Sequence, residues 1–189
     1  MSSAPPASAG EAAAALETFT FPDGHISFSY PAGWTVRTGQ GPYLAEETKA
    51  TSVEATVLDE SGKEVARVLS GISGEGAASQ VVRTVLDHAP VPGITDTFGN
   101  PAEFGFALDD IPGVDSYYFM DIRPAEGFLP DRANSGTNQV TLPNGRMAAY
   151  AVFDAEPELA SGTPDAGKAW MGTERYAQLK ALLLSLNYT

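Results

Sequence analysis

Along most of the chain, apolar and polar residues alternate with a period of two, the spacing of a strand that buries one face. Thr18-Phe19-Thr20-Phe21 alternates, Pro22-Asp23-Gly24 turns, and His25-Ile26-Ser27-Phe28-Ser29-Tyr30 alternates again. This predicts a hairpin with Ile26, Phe28 and Tyr30 on one face. Pro31-Ala32-Gly33 interrupts the ladder and Trp34-Thr35-Val36 resumes it. A second hairpin pairs residues 53–58 with 65–69 across the polar, glycine-containing turn 59–64. A third joins 139–142 to 146–153 across Pro143-Asn144-Gly145, which carries the Asn-Gly hairpin signature. Residues 103–108 and 114–122 read as strands on either side of a turn at 109–113, and 124–136 reads as a long irregular loop.

Residues 77–88 carry both periods. Ala78, Val81, Val82 and Val85 fall at helical spacing, but Val81-Val82-Arg83-Thr84-Val85 is rich in β-branched side chains, whose stiff χ1 suits a strand. A strand is expected, ended by Pro90 and Pro92. One helix is predicted, at the C-terminal end. Thr163 serves as its N-cap, Pro164 takes the first helical position, and Asp165 sits in the positive first turn. Tyr176, Leu179, Leu182, Leu183 and Leu186 form one stripe, with Glu174, Gln178 and Ser185 opposite. Gly167 and Gly172 weaken its first half, so the regular part is expected from about Thr173. These elements predict an α+β fold: a mainly antiparallel β-sheet meander, with the C-terminal amphipathic helix packed on one face as a lid.

The first sixteen residues follow neither period. Small residues and prolines, Ser2 to Gly10 and then Ala12 to Ala15, cannot bury enough surface to offset the entropy of ordering. The expected organisation is therefore a flexible Ala/Ser/Pro-rich leader over 1–16 and one globular domain over 17–189. A leader of this kind suggests a tether, its upstream signal peptide and lipid-bearing cysteine lying outside this sequence.

Charge narrows the partners. The 189 residues include 24 acidic and 11 basic ones, a net charge of −13, without a basic run. Phosphate backbones and anionic lipid are repelled by such a surface, so nucleic acid is not an expected partner. There is no cysteine, which excludes thiol catalysis, disulfides and cysteine-ligated metal. No stretch is long and apolar enough to predict a membrane helix.

Residues able to do chemistry are few. His25 follows Asp23 across a turn, and the two side chains would resemble a general-base pair if they met. His88 follows Asp87, but neighbours on a strand point to opposite faces. Gly71-Ile72-Ser73-Gly74-Glu75 approaches a nucleophile elbow, with its second glycine one position early. Gly71, Gly74 and Gly76 likewise lack the spacing of a dinucleotide-binding loop. Asp109, Asp110 and Asp115 bracket a turn and would offer oxygens to calcium, without the spacing of a calcium loop. Tyr117, Tyr118 and Phe119 occupy both faces of one strand, and Trp170 sits off the leucine stripe, so each is a candidate to line a groove. No catalytic residue, metal or cofactor is expected from these patterns, and they leave the ligand-binding residues unknown.

Two segments carry a resemblance. Ile26-Ser27-Phe28-Ser29-Tyr30-Pro31-Ala32-Gly33-Trp34-Thr35-Val36 looks like the opening strand and turn of PsbP-like domains. Leu179-Lys180-Ala181-Leu182-Leu183-Leu184-Ser185-Leu186 is similar to their closing helix. That family includes a photosystem accessory protein and many bacterial envelope lipoproteins. The Ala- and Pro-rich leader, and seven arginines against four lysines, resemble lipoproteins of high-GC actinobacteria. Residues 40–162 depart from the family pattern, with strand hairpins where it has helices. The resemblance implies a non-enzymatic accessory or binding domain, extracytoplasmic, membrane-anchored by an N-terminal lipid, whose partner is a protein or cell-envelope component. Two other readings stand beside it: a hydrolase using acidic residues in a cleft, with His25 as a candidate partner, and a soluble cytoplasmic structural protein.

Overall fold

The computed structural model describes residues 15–73, 79–129, 134–153 and 156–189. The leader call over 1–14 lies outside the described residues, as do Gly74 to Ala78 and most of the loop after Leu129. Leu16, placed at the leader's end by the sequence, already belongs to a strand.

Each hairpin predicted from the alternation forms. Strand β1 (Leu16–Thr20) pairs antiparallel with β2 (Ile26–Pro31) across the Asp23-Gly24 turn. β3 (Thr35–Gln40) pairs with β4 (Val53–Leu58), which pairs with β5 (Glu64–Ile72). A short helix α1 (Glu46–Lys49) lies in the β3–β4 connection. β6 (Val82–Thr95), β7 (Pro101–Asp110) and β8 (Tyr117–Pro124) follow as consecutive antiparallel neighbours. β9 (Gln139–Leu142) and β10 (Gly145–Ala151) form the Asn-Gly hairpin. Two helices, α2 (Pro164–Trp170) and α3 (Glu174–Leu184), precede a two-residue strand, β11 (Asn187–Tyr188).

The sheet is not a meander, and the fold is mainly β. The described strands form one sheet in the order β1-β2-β11-β6-β7-β8-β10-β5-β4-β3, with β9 alongside β10. Hairpin patterns specify only neighbours in sequence. The joins between hairpins come from β10, which lies between β8 and β5, and from β11, which pairs antiparallel with β2 and parallel with β6. At that second joint Gly93 leaves no room for a side chain: a Cβ there would lie 2.3 Å from the Leu186 carbonyl oxygen.

Two further readings are corrected. Residues 82–95 form one strand, running through Pro90 and Pro92 instead of ending at them. Pro90 keeps its place in the ladder opposite Glu103, whereas Pro92 falls where the register to β7 shifts, between Val91 and Thr95, beside the point where β11 meets β6 at Gly93. The single helix is two. Thr163 caps α2 and Thr173 caps α3, each hydroxyl accepting a backbone N–H, with Met171-Gly172 between them.

The stripe points into the core as predicted: Tyr176, Leu179, Leu182 and Leu183 of α3 are buried, and so is Leu186, two residues past the helix end. They pack with Ile26 and Phe28 of β2, Phe104 and Phe106 of β7, and Met120 and Ile122 of β8 in one cluster. Trp170 lines no groove. It is buried at the centre of an aromatic group with Phe106, Phe153 and Tyr176, the ring centroids 5.3–5.5 Å from its own. Two polar anchors fix α3. Arg175 donates to Asp59 at 2.6 Å, and Tyr176 and Lys180 both donate to Asp87. Burial raises the Asp59 carboxyl, but donors from Ser61, Arg175 and Lys63 outweigh it and hold the group at about 2.

Candidate functional site at the mouth of the sheet

Two adjoining hollows open where the β1–β2 turn, the segment after α1, the end of β5 and the β9–β10 turn converge. The first, of about 350 Å³, is lined by Phe21, Asp23, His25, Thr51, Ser70 and Asn144 among others. The second, of about 530 Å³, is lined by Thr48, Gly71, Ser73, Thr141 and Arg146, and shares Thr51 and Asn144 with the first. Such mouths of barrel-like sheets are favoured places for small-ligand sites.

Asn144 organises this region. Its Nδ2 donates to Asp23 Oδ2 at 2.9 Å and lies 3.3 Å from Ser70 Oγ, tying the third hairpin to the first and to β5. The contact to a carboxylate fixes the amide orientation, because the flipped form would set two oxygens against each other. Its Oδ1 is enclosed and makes no hydrogen bond. An acceptor left unpaired away from water costs about 1–3 kcal/mol, so a hydrogen-bond donor reaching Oδ1 from the hollows would gain a partner there. The turn also sits close to β5: Gly145 has φ +123°, and a Cβ on it would lie 3.0 Å from Gly71 Cα.

His25 and Asp23 are both at this mouth, but not as a pair. Asp23 Oδ1 accepts the backbone N–H of His25 at 3.1 Å, and its Oδ2 takes Asn144. The His25 ring is exposed, stacks on Tyr188, and sets Nδ1 2.8 Å from the Thr189 carbonyl oxygen. No serine or threonine hydroxyl bonds to that ring among the described residues. Ser73 accepts from Leu44 N and contacts Thr48, and Gly74 and Glu75 of the elbow-like segment lie outside the described residues. His88 and Asp87 diverge as strand geometry requires: His88 reaches Glu103 on one face while Asp87 holds α3 on the other.

The acidic turn 109–113 is corrected. Asp109 is not a solvated turn carboxylate but a fully buried residue of β7. Its register partner Arg83 on β6 donates to both its oxygens at 2.7 Å. On β8, Arg123 grips Asp121 in the same fork-to-fork way at 2.7 and 2.8 Å. Both guanidinium groups lie against the Phe119 ring, 4.5 and 4.0 Å from its centroid, and both donate to the Ser135 carbonyl. Phe119 therefore faces away from the main core, as strand alternation requires, packing with Ala107 and Phe128. Burial pushes the Asp121 carboxyl up to about 6, against the pull of Arg123. This quartet is satisfied within the protein, and Arg83 also donates to the Gly127 carbonyl, so the two arginines hold Gly127 and Ser135 against the sheet. Asp110 accepts from Ser116, and no group of three metal-ligating side chains occurs among the described residues.

No helix of the described residues is long and apolar enough to cross a membrane. Comparison with protein-family models, with curated proteins and with solved structures finds no match.

Proposed function

We propose that this chain is a non-enzymatic binding domain whose ligand sits at the mouth of the sheet. The observation that carries the reading is how the polar groups there are used. Asp23 and Asn144 bond to each other and His25 bonds to Thr189, while the two hollows that share Asn144 and Thr51 stay open. General-base chemistry needs a histidine or carboxylate within reach of a nucleophile. The mouth offers a shaped, hydrogen-bonding surface instead. The same reading places the domain outside the membrane on an N-terminal lipid tether, as an accessory to a protein or envelope component. The leader composition and the PsbP-like segments support that placement.

Amide-resolved NMR with a library of small polar fragments tests the site. Shifts are expected to concentrate on Thr51, Ser70, Gly71, Asn144 and Gly145, and shifts confined to other surfaces would sink it. A panel of ester, phosphate and glycoside substrates tests the absence of catalysis. Turnover that His25→Ala or Asp23→Asn abolishes would make the protein an enzyme. Location is read from protein isolated from its native cells: a lipid-modified N-terminal cysteine supports the tether, and a plain initiator Met ends it.

A further inference from the structure

The first hollow at the mouth is biased towards hydrogen-bond acceptors. Both Nδ2 hydrogens of Asn144 are spent, on Asp23 at 2.9 Å and on Ser70 at 3.3 Å, while its enclosed Oδ1 has no donor. Asp23 accepts one bond at each oxygen, and an ionised carboxylate has sites for about four. Thr51 donates its hydroxyl hydrogen to the Thr48 carbonyl at 3.0 Å, so lone pairs are what it has left to offer. The Thr189 carbonyl oxygen can only accept, so His25 Nδ1 carries the ring hydrogen and Nε2 is the acceptor of the neutral ring. Ser70 alone among these lining side chains keeps a hydroxyl hydrogen that no bond among the described residues commits. Charge points the same way. No lysine or arginine lines this hollow, and Lys49, next to its lining residue Ala50, is drawn off to Glu46 and over the Tyr43 ring. Arg146 lines the second hollow and not the first. The chain's −13 charge adds a field that concentrates cations. Beside the acceptors, Phe21, Pro22, Ala50 and Val53 supply apolar wall.

From these groups we infer that the first hollow receives an ammonium or guanidinium group on an aliphatic stem. Such a head carries several N–H donors and no acceptor. It is the complement of Asp23, Asn144 Oδ1 and Thr51 Oγ1, and its stem covers the apolar wall. A carboxylate or phosphate would set its own lone pairs against theirs, and a neutral hydroxyl would bond without charge assistance. A bare metal ion fits poorly. The hollow's 350 Å³ is the size of a small-molecule site, and no group of three metal-ligating side chains occurs among the described residues. Under the binding reading proposed above, on which this rests, the ligand thereby gains a chemical class. Two sources supply that chemistry: a free amine, and a lysine or arginine side chain of a protein partner.

Titrations of the full chain followed by amide NMR test this. Butylammonium and butylguanidinium stand for the free amine, and the acetylated amides of lysine and arginine stand for the side chain. Butanol and butyrate are the neutral and anionic controls. The cations should shift Asp23, His25, Thr51, Ser70 and Asn144, bind about tenfold more tightly than butanol, and weaken as salt is added. Butyrate should leave these amides unmoved. Asp23→Asn, at an exposed turn position, removes the charge and can still bond Asn144 once that amide turns over. It should melt close to wild type and weaken the cations about tenfold, with butanol hardly affected. Thr51→Val, also exposed, leaves the Asp23–Asn144 link alone and should weaken them about threefold. Tighter binding of the amino-acid amides assigns the hollow to a partner's side chain, and equal or tighter binding of the simple amines assigns it to a free amine. Butanol or butyrate binding as well as butylammonium, indifference to both variants, or displacement of the cations by calcium or zinc with shifts at these residues would each overturn the assignment. Binding of a neutral or anionic compound here would remove only the ligand class. Silence of the mouth towards every compound would take the binding reading with it.

Discussion

At the scale of single residues, the buried quartet on the outer face of β6, β7 and β8 concentrates the electrostatic risk. Asp121 and Arg123 are desolvated together, so removing one strands the other. Arg123→Leu should cost about 3–5 kcal/mol in denaturant unfolding, while Asp121→Leu combined with Arg123→Leu should recover most of that loss. Titration adds a signature. With Asp121 raised to about 6, the folded chain keeps a proton that the unfolded chain has released between about pH 4 and 6. Its contribution to stability is therefore full at low pH and declines as pH rises through 6. Denaturant midpoints of wild type minus those of Asp121→Asn should fall across that window, and a flat difference would refute it. None of this was legible in the sequence. Asp109 reads as a turn residue beside Asp110, and only its register opposite Arg83 shows a strand position with a partner.

Among the elements, α3 was the most legible and is the most testable. Tyr176, Leu179, Leu182 and Leu183 at helical spacing define its buried face, and the structure buries each of them together with Leu186 just past its end. Leu183 is fully buried, so Leu183→Asp would place a carboxylate among apolar neighbours and should unfold the protein at room temperature. Gln178 lies on the outer side near Glu174, so Gln178→Asp should cost only about 0.5 kcal/mol through like-charge repulsion. Thermal melts of the pair decide it, and equal midpoints would refute the buried face. The break before α3 was partly legible, because Gly172 weakens a helix and Thr173 can cap a new one. The path of β6 through two prolines was not, since a proline's cost depends on which neighbour its missing N–H faces.

For the whole molecule, continuity of the sheet depends on its last few residues. β11 joins the β1–β2 hairpin to β6, and His25 helps clamp it through Thr189 N–H to His25 O and through the ring to Thr189 O. Gly93 allows the two backbones to approach, so Gly93→Val should open this joint. Hydrogen exchange should then show lost protection at Ser27 and Asn187 while β7, β8 and β10 stay protected. Uniform protection across both regions would mean that the hairpin is held without β11. The same joint matters to the mouth, because it positions the turn that carries Asp23 and His25.

The sequence by itself determined the local elements: three hairpins from alternation and Asp-Gly or Asn-Gly turns, and a helix face from its leucines. These signals act between residues close in the chain, where pairing and periodicity are set by neighbours. The tertiary structure alone decided the strand order, the buried Arg–Asp pairs and the meeting of Asp23, His25, Ser70 and Asn144 at one mouth. His25 and Asp23 were visible as candidates, whereas Asn144 read as a turn asparagine and Ser70, just past the strand 65–69, carried no signal. Such convergence rests on contacts between residues far apart in sequence, and the pattern of one chain carries no record of which hairpin faces which.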